Sequence, residues 1–82
     1  MDYTIAVVKI GNREGSALAV QKVLTENGCL IKVRLGLHDM PTDACSPLGV
    51  VIMQLVGKTV ECKAMVDALN AIPEVVARLV KV

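Results

Sequence analysis

Apolar residues follow two alternating rhythms along this chain. Tyr3 to Ile10 (YTIAVVKI) is rich in β-branched residues and almost wholly apolar, which predicts a strand covered on both faces. From Gly15 to Asn27 the spacing lengthens. Ala17, Val20, Val23 and Leu24 share one helical face, while Gln21, Lys22, Thr25 and Glu26 share the other. Asn12 is placed to cap this helix, Glu14 adds negative charge in its first turn, and Gly28 is placed to stop it in a left-handed conformation. Period-two alternation then returns in CLIKVRLGLH. It sets Cys29, Ile31, Val33, Leu35 and Leu37 toward a core and Leu30, Lys32, Arg34, Gly36 and His38 away from it. A Pro-broken loop follows, DMPTDACSP. The run LGVVIMQLV is again apolar on both sides. Thr59 is expected to cap a second helix with the stripe Cys62, Met65, Val66, Leu69 and Ile72, which Pro73 stops. The last strand is EVVARLVKV.

The predicted order is β-α-β-β-α-β over a single domain, residues 1–82. Two split βαβ units of this kind make an α+β, ferredoxin-like plait: a four-stranded antiparallel sheet with both helices on one face. The other face is then bare. It is expected to carry Val, Leu, Ile and Met side chains, Met53 among them, together with Lys32, Arg34, His38 and Gln54. A chain of 82 residues that is 54% hydrophobic and only 21% charged has more apolar surface than one small core hides. The expected remedy is self-association, as a homodimer or higher homo-oligomer, through the bare face or an edge strand.

A formal net charge of +1 gives no pull toward nucleic acid or anionic lipid. No apolar run approaches the roughly 18 residues that would span a bilayer. The start, MDYTIAVVKIGN, lacks the basic region of a secretory signal. Three cysteines without CxxC spacing fit a reduced, cytoplasmic protein. Cys29 and Cys62 are expected in the core, leaving Cys45 as the loop thiol.

The plait hosts many functions, so the site has to decide among them. Base-stacking on central strands needs aromatics, and those strands offer only Tyr3, at an end. A copper site needs paired thiolates, which GNREGS lacks. An acylphosphatase-like site places an Arg in the first loop; Arg13 is there, but its neighbours do not match. The turn Asn12-Arg13-Glu14-Gly15, the helical SALAVQKVLTENG, and Gly28 before CLIKVRL together resemble ACT domains. These carry a D-R-P-G-like turn, a small-residue helix and a Gly before the second strand. Asn stands here for Asp and Glu for Pro. With VRLGLHD, where Arg34 and Gly36 hold an R-x-G stretch, the chain is also similar to stand-alone ACT-like proteins known as iron-only hydrogenase system regulators. The resemblance implies a regulatory protein that is not an enzyme and has no cofactor. It would sense a small anionic metabolite such as an amino acid at a subunit interface.

The candidate ligand-binding residues are therefore Asn12, Arg13, Glu14, Gly15 and Ser16, with Arg34 and His38 as further members. Free N–H groups at a helix start suit a carboxylate, and a glycine lets it approach the backbone. Arg34 offers a bidentate partner, in an intersubunit pocket that it and His38 would line with Lys32 and Gln54. Two alternatives stand beside this reading. One is a ligand-free protein–protein interaction module. The other is a metal or redox sensor using His38 and Cys45, although zinc sites take three or four ligands. No catalytic residues are assigned.

Overall fold

The computed structural model of the chain describes residues 3–11, 15–38 and 49–82. The first apolar run forms β1 (Thr4–Ile10), followed by α1 (Ser16–Glu26) and a single 3-10 turn (Gly28–Leu30). Then come β2 (Ile31–His38), β3 (Gly49–Leu55), α2 (Thr59–Asn70) and β4 (Val75–Lys81). The strands lie in the order β2-β3-β1-β4, and every neighbouring pair is antiparallel. This is the ferredoxin-like plait expected from the pattern.

The core forms where one side of the sheet meets both helices. Ala6, Val8 and Ile10 of β1, Met53 and Leu55 of β3, and Val75 and Ala77 of β4 supply the sheet side. Val20 and Leu24 of α1, and Cys62, Met65, Val66 and Leu69 of α2, close over it, with Ile72 packed at the margin. The α2 stripe is as the helical period required. On α1 the stripe is narrower than expected, because Ala17 is exposed and Ser16 is buried in its place.

Four local expectations need correction. Gly15, not Asn12, stands at the N-cap of α1, and Asn12 itself lies outside the described residues. Gly28 does not end α1 in a left-handed conformation. Asn27 is the C-cap, and its side chain donates back to the Val23 carbonyl at 2.8 Å. Thr59 does not cap α2. Lys58 holds that place, and the Glu61 carboxylate accepts its backbone N–H at 3.2 Å, while the Thr59 hydroxyl accepts from the Lys81 ammonium at 2.8 Å. Cys29 lies in the 3-10 turn and is exposed, whereas Cys62 is buried as expected.

The largest correction concerns β2. Ile31 pairs with Leu55, but the register shifts before Val33, which pairs with Gln54. An extra residue in one strand turns every following side chain to the opposite face. Val33 and Leu35 therefore leave the core side and stand 55% and 56% exposed. Arg34 pairs with Met53, whose side chain is fully buried on the helix side. Met53 is thus part of the core and not of the bare face.

Edge strand β4 is held from outside by Asn70. The Asn70 carboxamide donates to the Ala77 carbonyl at 3.0 Å and accepts the Ala77 N–H at 2.7 Å, pairing both backbone groups as a further strand would. Asn70→Ala returns both groups to water, with an expected loss of about 1–2 kcal/mol. Urea unfolding measures it, and an unchanged midpoint would show that the carboxamide adds nothing.

Candidate functional site

Asn12, Arg13 and Glu14 lie outside the described residues, as does Cys45 of the metal or redox alternative. The residues on either side of 12–14 are well anchored. Gly11 donates its N–H to the Glu74 carbonyl at 2.8 Å. Ser16 donates its hydroxyl to the neighbouring Pro73 carbonyl at 2.8 Å and is buried. The end of β1 and the start of α1 are thus tied to one dipeptide ahead of β4.

The Ser16 hydroxyl is engaged by Pro73, so its side chain is a structural tie, and its backbone N–H is the group at a helix start that the ligand reading uses. Gly11 also has a steric task. A Cβ there would sit 2.9 Å from both the Cβ and the carbonyl oxygen of Glu74. Glu74 adopts φ 62, a left-handed conformation that costs a non-glycine residue roughly 1–2 kcal/mol. The bare Gly11 backbone leaves the room in which Glu74 does so.

Gly15 differs from both. It has φ 90, and none of the described residues lies within 4 Å of where its Cβ would stand. The first turn of α1 carries no acidic side chain. Its leading N–H groups have no acceptor within the helix, and they carry the positive end of the helix dipole.

His38 ends β2 opposite Gly49, which in turn pairs with Ile10, and Ile10 with Val75. One row across the end of the sheet thus brings position 38 to the end from which α1 departs. Arg34 lies four residues back, about 13 Å along the strand. Its Nη2 donates to the Gln21 amide oxygen of α1 at 3.4 Å, and the pair is exposed. The expected grouping of Arg34 with Gln54 on one face is corrected by the register. Arg34 is on the helix side and Gln54 on the opposite side, because of the shift in β2. Among the described residues, no group of three or more His, Cys, Asp or Glu side chains gathers to hold a metal.

Sequence reasoning missed Gly11 and Glu74 as a contact, and it misplaced Val33 and Leu35. Alternation in IKVRLG is unbroken through the shift, so no local signal marked it.

No family model matches the sequence, and no curated protein matches it. Among solved structures, the chain is similar to the uncharacterized protein TM1266 from Thermotoga maritima. The TM-score is 0.83 and the identity 17%, over 100% of this chain and 99% of that one. This likeness shows a shared fold. A weaker likeness, with a TM-score of 0.47 and 12% identity, is to a dimeric ferredoxin-like protein of unknown function from Thermobifida fusca. It covers 98% of this chain and 92% of that one. Among the described residues, no helix is long and apolar enough to cross a membrane.

Two substitutions test the anchoring. Ser16→Ala removes the bond to Pro73 and is expected to cost about 1 kcal/mol. Gly11→Ala forces Glu74 aside and is expected to cost about 1–3 kcal/mol. Thermal unfolding of both variants checks this; a Gly11→Ala variant as stable as the parent would show that Glu74 moves freely.

Proposed function

We propose that this chain is a small regulatory protein of the ACT-like kind, akin to the iron-only hydrogenase system regulators. It binds a small anionic metabolite such as an amino acid beside the start of α1 and acts as an assembly of copies. The observation that carries the ligand reading is Gly15. Its left-handed conformation, with no described residue within 4 Å of its Cβ position, would present the first amides of a helix whose opening turn holds no acid. Asn12, Arg13 and Glu14 adjoin this point in sequence, and position 38 of β2 lies at the same end of the sheet. Arg34, turned toward α1, supplies a guanidinium on the same side of the sheet. Binding would regulate through differential affinity for two states of the assembly or of a partner complex. The reading assigns no catalytic step and places the protein in the cytoplasm.

A second reading, an interaction module without a ligand, is favoured by the exposed apolar residues of the sheet's open side, such as Val33 and Leu35.

A thermal-shift panel of amino acids and small carboxylates separates the two. At a ligand concentration about a hundredfold above its dissociation constant, the ligand reading expects some 2–3 kcal/mol of stabilisation. Gly15→Asn tolerates the left-handed conformation while placing a side chain over the helix start. It is expected to abolish the shift with little change in the unliganded melting temperature. A panel in which no compound shifts the parent would sink the ligand reading and leave the module.

A further inference from the structure

The register of the four strands fixes what stands on the side of the sheet away from the helices. One row holds Val33, Gln54, Ile5 and Val80, and the next holds Leu35, Ile52, Val7 and Arg78. A third holds Val50, Lys9 and Val76. Beyond the first row, Tyr3 bonds to Val82, and Tyr3, Val56 and Val82 are all exposed. Of the nine large hydrophobic residues exposed among those described, seven lie on this side: Tyr3, Val33, Leu35, Val56, Val76, Val80 and Val82. The other two, Leu18 and Val60, are on the helices.

We infer that this open face is a self-association surface, and that a second copy of the chain packs on it sheet to sheet. Three observations select that occupant. The first is area. Four strands about 4.8 Å apart and seven residues long present roughly 19 by 24 Å, on the order of 500–700 Å² of accessible surface per copy. A pair would then bury on the order of 1,000–1,400 Å², which reaches the range of specific interfaces.

The second is shape and width. A single helix about 10 Å across covers half of such a face, whereas a sheet of the same twist covers all of it at a spacing of about 10 Å. The third is charge. On these strand positions the only ionic side chains are Lys9 and Arg78, both cationic, with Glu74 at the margin beside Gly11. Lys9 and Arg78 sit on the adjacent strands β1 and β4, at one side of the face. The apolar block of Val33, Leu35, Val50, Ile52, Ile5 and Val7 lies on β2, β3 and β1. A twofold axis lying between the two sheets and running along β3, near Ile52, seats apolar positions on apolar positions. It leaves the cations at the rim, where they keep their water and avoid the penalty of unpaired burial.

The β4 edge is a poorer route to pairing. Asn70 already occupies both backbone groups of Ala77, and the Val75 N–H donates to Ile72 at 3.2 Å.

This inference rests on the proposed assembly of copies but not on its ligand. Sedimentation velocity of the full chain across a dilution series tests it, with circular dichroism as the check on folding. The parent is expected to sediment as a dimer that dissociates on dilution. Leu35→Lys, at a position already exposed in the single chain, is expected to weaken the dimer on the order of a hundredfold and keep the parent's spectrum. Ile52→Lys, beside the inferred axis, is expected to do the same, while Lys22→Glu on the solvent side of α1 leaves the dimer intact. A dimer unmoved by both face variants overturns the sheet-to-sheet surface while leaving an assembly of copies in place. A parent that stays monomeric at every concentration overturns both. A monomeric parent that binds neutral lipid vesicles also overturns the inference, in favour of a lipid surface.

Discussion

Two helices, of 11 and 12 residues, lie against one side of a four-stranded sheet whose strands are apolar on both sides. The centre of the side that they cover is enclosed. Val8, Met53, Leu24, Met65 and Leu69 are fully or almost fully enclosed there, and that enclosure is the main source of the fold's stability. The remaining apolar positions are left over. Small domains bury a limited share of their surface, and this one keeps most of its described surplus on the open side of the sheet, with Leu18 and Val60 on the helices as the exceptions. The shift in β2 sharpens the division. It moves the Arg34 guanidinium to the helix side and puts Val33 and Leu35 on the open side, making that side more uniformly apolar than plain alternation predicts.

Much of this architecture was legible in the sequence, because the hydrophobic period reports which side of an element is enclosed. The α2 stripe and the double-sided runs of β1 and β3 were read this way, and the chain order followed from them. Details that depend on single backbone conformations were not legible. Several polar residues compete to end a helix, and the winner depends on tertiary contacts. Ser16 is enclosed because Pro73 offers an acceptor, and Lys58 is the cap because Glu61 reaches back to it. The shift at Ile31 and Val33 leaves the residue pattern unbroken, so its effect on Arg34 shows only in three dimensions.

The candidate site was legible in part, for a related reason. A glycine ahead of a helical period signals a backbone demand, and Gly15 meets one with φ 90. The grouping of Arg34 with Lys32 and Gln54 relied on strict alternation and failed where alternation failed. Cys29 was misplaced because a 3-10 turn delays the start of β2 by two residues relative to the apolar run.

The ties at Pro73 and Glu74 have a consequence for how the molecule breathes. Gly11 and Ser16, at the end of β1 and the start of α1, hang on adjacent carbonyls just ahead of β4. A displacement of that dipeptide loosens both anchors at once, so the end of β1 and the first turn of α1 are coupled through Pro73 and Glu74, and opening of either is expected to raise hydrogen exchange in the other.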